Sequence, residues 1–186
     1  MGRNKSKGKT LKYFRHPYLH TGPDIKTKNK FERFLVEHHY EIAPVTIDNA
    51  EWIYAFAYKQ AKTNQDLHLM DRIGSDYINY METIFDFYEE LSKKLLEREL
   101  AQILLIHAND LNADYFDELI NMIKGRGYHF VTLEHALRDS AYSLVDNYIG
   151  DTGISWLQRW WISQGGEFIP EPQVPEWVEK IAYAKH

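Results

Sequence analysis

The sequence predicts an α/β fold in which parallel strands alternate with helices. Three observations carry that prediction. Ile103-Leu104-Leu105-Ile106 is a continuous apolar run too short for a helix, so it reads as a buried parallel strand. A helical pattern follows from Asn112 to about Lys124, and Tyr128-His129-Phe130-Val131-Thr132 reads as the next strand, which completes a βαβ spacing. Upstream, Tyr40-Glu41-Ile42-Ala43-Pro44-Val45-Thr46-Ile47 reads as extended and is rich in β-branched residues.

Taken in order, residues 1–9 carry Arg3, Lys5, Lys7 and Lys9 with no apolar segment behind them, which predicts a basic flexible tail and not a signal peptide. Residues 11–15 read as a short strand, and Thr21-Gly22-Pro23-Asp24 is a turn-forming cluster. Residues 29–36 place Phe31, Phe34 and Leu35 at helical spacing. Pro44 has no N–H to donate, which disfavours a central, fully paired strand at that point.

From Glu51 to about Leu100 the pattern is helical. Tyr77, Tyr80, Met81, Ile84, Phe85, Tyr88, Leu91 and Leu95 recur at three- and four-residue steps, a stripe that packs a core. Gly74-Ser75-Asp76 reads as the break between an earlier helix and this long one. Asn112 suits an N-cap with Leu111 stapled on Phe116, and the helix is expected to bury Phe116, Leu119, Ile120 and Ile123 before Gly125 and Gly127 end it. Residues 10–140 therefore form the domain body. Beyond about Ala141, glycines and prolines break up a Trp-rich stretch, so residues 141–186 are expected to wrap irregularly over the same domain.

A chain of 186 residues fits one domain with a real core. Its net charge of −5 argues against general nucleic-acid affinity. With no cysteine, disulfides, thiolate metal ligands and a Cys nucleophile are excluded. No apolar run reaches the roughly 20 residues needed to span a bilayer. The aromatic share of 15% fits either a sugar-stacking groove or a core of large residues.

In parallel α/β folds, functional side chains gather where strands end and loops begin. Arg15 with Tyr18, Asp48, Trp52, and His107 with Leu105 before it occupy such positions. Each also has a plainer role open to it. Taken alone, Arg15 is more often a surface ion-pair partner and Trp52 and His107 core residues, while Asp48 serves equally as a helix cap.

The order and spacing of these residues resemble the later part of the polysaccharide deacetylase (NodB homology) family of carbohydrate esterases. The family's third motif, Arg-x-Pro-Tyr/Phe, stands as Arg15-His16-Pro17-Tyr18; its fourth, Asp-x-x-Asp-Trp, as Asp48-Asn49-Ala50-Glu51-Trp52, with Glu51 in the second acidic place; its fifth, Leu-x-His, as Leu105-Ile106-His107. Residues 111–133 resemble the last helix and strand of the family, and Gly153-Ile154-Ser155-Trp156-Leu157-Gln158-Arg159-Trp160 resembles the ends of some bacterial members. The resemblance covers roughly residues 10–170.

It implies a partial distorted (β/α), TIM-like barrel lacking its first strands, and metal-dependent hydrolysis of N- or O-acetyl groups from an acetylated polysaccharide or oligosaccharide. In the family a divalent metal such as zinc acidifies a water and polarises the acetyl carbonyl. By carry-over, Arg15 would hold the catalytic aspartate and the backbone near Tyr18 would help stabilise the oxyanion. His107 would be the general acid, oriented by Asp48, and Leu105 and Trp52 would shape the pocket for the acetyl methyl.

The departure is large. The family's first motif, which supplies the base and one metal ligand, and its second, His-x-x-x-His, should stand many tens of residues before Arg15. His16, His20, His38 and His39 do not replace them, since His38 and His39 are adjacent and point apart. The sequence therefore predicts a truncated or split gene product, or a fragment of a longer enzyme, with no metal bound by this chain alone and no activity alone. Exposed strand edges predict pairing with a second copy or with the missing N-terminal half. A non-catalytic carbohydrate-binding or interaction remnant of the same fold is the alternative.

Overall fold

The computed structural model of the protein describes residues 11–184; the basic segment 1–9 lies outside them. Helices dominate: 56% of the described residues are helical and 3% are strand, in one two-stranded sheet. This overturns the expected α/β fold and the partial TIM-like barrel. The reason lies in where the backbone hydrogen bonds go. Thr46 N donates to Ile103 O at 3.0 Å, but Ile103 N returns to the Thr46 side-chain Oγ1 at 2.7 Å in place of a ladder carbonyl. The run 103–106, expected as a buried strand, is half-buried and takes part in one isolated parallel bridge, Ile47 with Leu104. Residues 128–132 form no strand, and Phe130 and Val131 are exposed. With no second strand there is no βαβ unit.

The chain divides into two units. The first comprises residues 1–46, 100–103 and 133–168. In it β1 (Tyr13–Phe14) pairs in parallel with β2 (Glu41–Ile42), Tyr13 opposite Glu41 and Phe14 opposite Ile42. Helix α1 (Ile25–Glu37) begins four residues earlier than its apolar pattern suggests, because Asp24 caps it by accepting from Thr27 N at 2.7 Å. Leu35 is buried while Phe34 is exposed and stacks against His38, with ring centroids 4.0 Å apart. After the short helix α6 (Leu133–Ala136), helix α7 (Trp156–Ser163) is capped by Ser155 and buries Trp156, Leu157 and Trp160. His16 packs among Phe14, Phe31 and Trp156, and burial together with the Arg159 charge pushes its imidazole down to about 4. It is a neutral core histidine.

The second unit comprises residues 47–99, 104–132 and 169–186. Its frame is α2 (Glu51–Thr63), α3 (Leu67–Leu96), α4 (Asp110–Asp114), α5 (Phe116–Gly125) and α8 (Glu176–Ala182). The stripe on α3 buries Tyr77, Tyr80, Met81, Ile84, Phe85, Tyr88 and Leu91, as its period requires. The helix break lies at residues 64–66, and not at Gly74-Ser75-Asp76. Gln65 adopts a left-handed φ of 56° there, and Asp66 caps α3 through Leu69 N at 3.0 Å. Gly74 sits inside α3 because a Cβ there would lie 1.9 Å from the Tyr115 ring. It is a packing notch and not a punctuation mark.

Asn109, and not Asn112, caps α4, accepting from Asn112 N at 2.9 Å. Leu119 and Ile123 are buried on α5, whereas Phe116, expected inside, is exposed. Residues 156–163 and 176–182 turn the expected irregular tail into two short helices. No helix among the described residues is long and apolar enough to cross a membrane.

Candidate functional site

The site lies within the second unit, where the chain after Ile47 meets the chain after Leu105. Leu105 N donates to Ile47 O at 3.1 Å, and Asn49 Nδ2 donates to Leu105 O at 2.7 Å. This short register replaces a ladder and still brings the two loops together. Asn49 Oδ1 accepts from Glu51 N at 3.0 Å, Asp48 Oδ1 accepts from Asn49 N at 2.9 Å, and Ala50 N donates to Tyr80 OH at 2.9 Å. These bonds start α2 so that Glu51, in its first turn, points inward and is 1% exposed.

A buried carboxylate is costly unless its oxygens are occupied. Those of Glu51 are. His107 Nδ1 lies 2.8 Å from Oε2, Asn112 Nδ2 donates to Oε1 at 2.8 Å, and Asn109 Nδ2 donates to the same oxygen. Asn112 Nδ2 also reaches His107 O at 2.8 Å, and Asn112 Oδ1 accepts from the buried Tyr77 hydroxyl at 2.8 Å. The pattern His107-x-Asn109-x-x-Asn112 thus builds a cradle around one carboxylate. Because a carboxylate only accepts, His107 carries its proton on Nδ1, and Nε2 is the ring atom left for proton exchange.

His107 opens on a cleft of about 1110 Å³ lined by Trp52, Phe56, Ile106, Asn109 and Phe116 among others. Trp52 is 43% exposed and meets Phe56 edge-on at 5.8 Å, with Tyr183 at 6.4 Å on a further side. It is a wall of the cleft and not a core residue. From the 103–107 run Ile106 and His107 line the cleft; Leu105 is half-buried, with its N–H on Ile47 O and its carbonyl on Asn49 Nδ2.

Of the residues singled out in the sequence, Asp48, Trp52, Leu105 and His107 fall in the second unit, and Arg15 and Tyr18 fall in the first. Arg15 is exposed, and Tyr18, 91% exposed with φ 54°, stands on a strained turn. The carboxylate hydrogen-bonded to the His107 ring is that of Glu51, the second acidic place of the Asp48-to-Trp52 motif, and not that of Asp48. The Asp48 charge instead acts on Glu171, which the sequence did not single out. Tyr88 OH donates to Glu171 Oε1 at 2.5 Å, while burial and the Asp48 charge push the Glu171 carboxyl up to about 7. Pro170 and Pro172 on either side of Glu171 are the signal that could have marked it.

The divalent ion implied by the resemblance does not fit the donor set: the described residues hold no group of three or more His, Asp or Glu side chains placed to bind a metal. His20 Nε2 is 3.1 Å from Gly150 O and His38 Nδ1 is 2.8 Å from Phe34 O, both engaged with backbone carbonyls of the first unit. Compared with protein-family models, with curated proteins and with solved structures, the chain shows no match.

Proposed function

We propose that this chain is a polysaccharide-deacetylase-like protein whose second unit binds an acetylated saccharide, with the acetyl group in the Trp52 cleft and His107 as the proton-donating residue. The observation that carries this reading is the His107–Glu51 pair, a buried carboxylate fixing one ring nitrogen of an exposed imidazole beside an exposed indole. Protonated on both nitrogens, an imidazolium held in this way delivers its Nε2 proton to a leaving nitrogen or oxygen and is left as the neutral ring with its proton on Nδ1. The indole supplies a flat apolar face of the kind on which sugar rings and methyl groups pack. Glu51 positions the histidine, and Asn109 and Asn112 position Glu51.

Hydrolysis also needs a base to activate water. The reading therefore assigns this chain binding and proton donation, with no turnover by the chain alone. The test is titration with di-N-acetylchitobiose and with acetylated xylo-oligosaccharide, with zinc and with chelator, while acetate is measured. Saturable binding that survives chelation, weakened about tenfold in Trp52→Ala, with no acetate released, is the expected result. Absence of binding to either sugar overturns the reading, and acetate release by the chain alone overturns the assignment of no turnover.

A further inference from the structure

The first unit contains a cleft of its own, about 450 Å³, between α1, residues 40–44, residues 142–146 and α7. Its floor is charged and deeply buried. Lys28 is 3% exposed, donates to the Asp146 backbone carbonyl and pairs with Asp146 Oδ2 at 2.8 Å. Behind the floor, Arg159, 1% exposed, reaches the same Oδ2 through Nε at 2.9 Å and Nη2 at 2.8 Å, and Nη2 also donates to Thr21 Oγ1 at 2.8 Å. Asp146 is therefore fully engaged. Lys28 has three N–H donors, of which Asp146 takes two.

Glu32, one turn along α1 from Lys28, is half-buried in the same cleft. Among the described residues nothing hydrogen-bonds to its carboxyl, which burial raises above its ordinary range. A ligand that covers this carboxyl displaces water from it, so a ligand that brings donors is favoured over one that does not. The walls include Tyr40 and Tyr142, both half-buried; the Tyr142 hydroxyl donates to Ala101 O, which fixes the ring.

The charges select the ligand. With Glu32 ionised, Lys28 and Arg159 balance Glu32 and Asp146, Glu41 on the cleft wall pairs with Lys12 at 3.4 Å, and His16 beside them is neutral. An anion entering the cleft meets Glu32, and a cation meets Lys28, so each faces a like charge in a partly desolvated site. A neutral polyol meets an acceptor, a spare donor and flat ring edges together. The volume is that of a small-ligand pocket.

We infer that this cleft is a binding site for one neutral, polyhydroxylated ring, a saccharide unit, with its hydroxyls donating to Glu32 and accepting from Lys28. It stands on residues of the first unit and does not rest on the role proposed for His107. The test holds the ring constant and varies its charge: glucose, glucosamine and glucuronate are titrated into the full chain. The Leu35 and Leu144 methyl signals report this cleft, and the Trp52 indole and His107 signals report the other. Saturable shifts of Leu35 and Leu144 with glucose, about tenfold weaker with either charged sugar, are expected. Glu32→Gln removes the like charge met by an anion and is expected to bring glucuronate close to glucose. No shift of Leu35 and Leu144 with any of the three sugars, or an equal response to all three, overturns the inference. A response at Trp52 and His107 without one at Leu35 and Leu144 overturns this inference and leaves the other reading standing.

Discussion

Replacing Glu51 separates a carboxylate that positions His107 from one that merely fills space. In Glu51→Gln the retained side-chain oxygen can still accept from Asn109 and Asn112, whose amides lie on Oε1. The new amide nitrogen then occupies the place of Oε2, 2.8 Å from His107 Nδ1. An amide N–H donates, so the histidine must accept there and move its proton to Nε2. Nitrogen chemical shifts of neutral His107 read this tautomer change directly. In Glu51→Ala all three donors lose the carboxylate, and Asn112 Nδ2 keeps one of its two N–H groups on His107 O. His107 is 46% exposed and turns to water, whereas Asn112 is 5% exposed and Asn109 is half-buried. Orphaned buried donors cost about 1–3 kcal/mol each, so Ala is expected to lose about 2–4 kcal/mol and Gln about 1 kcal/mol in urea unfolding. An Ala variant as stable as the wild type, or an unchanged tautomer in Gln, would refute the cradle.

The Glu171 carboxyl sits at about 7 in the folded chain against an ordinary 4.5, so between those values the folded protein holds a proton that the unfolded chain has released. Stability from this group is therefore highest below about pH 4.5 and falls as the pH rises toward about 7, by about 1–2 kcal/mol once partial exposure is allowed for. Glu171→Gln should flatten that slope in urea unfolding at about pH 4.5 and about pH 8; an identical slope in both proteins contradicts it. Gly153→Ala would put a Cβ 1.9 Å from Tyr18 O and 2.4 Å from the Leu19 carbonyl carbon, where Tyr18 and Leu19 already hold φ of 54° and 52°. Backbone must move there, so a loss of about 2–3 kcal/mol is expected, seen as a lower Tm, and an unchanged Tm contradicts it.

Periodicity was readable because helix packing is written in single residues: each of Tyr77 to Leu91 on the stripe is buried on the face its spacing implies. Strand pairing was not, since it depends on a partner the run itself does not encode. Ile103 to Ile106 looks apolar enough for a buried strand, yet its pairing with Thr46 and Ile47 stops at one bridge, and Ile103 N bonds the Thr46 side chain in place of a backbone carbonyl. Gly74 was misread because a glycine inside a helix and one at its end look alike until the Tyr115 ring is seen against it. In the site, His107 and Trp52 stood out by residue type and position at loop starts. Which acid serves His107 was not legible, because Asp48 and Glu51 differ by less than one helical turn and the bond from Glu51 N to Asn49 Oδ1 that precedes α2 is a tertiary detail of the loop. Asn109 and Asn112 carried a signal, amides at i and i+3 after a histidine, but a capping role accounts for that pattern equally well.

The central claim is that the acetyl group of a saccharide lies between Trp52 and His107. Intermolecular nuclear Overhauser effects from the acetyl methyls of di-N-acetylchitobiose measure this most directly. The account predicts transfer to the Trp52 indole, the Ile106 methyls and the His107 ring, lost in Trp52→Ala. Bound sugar whose acetyl methyls reach none of these three side chains would contradict it.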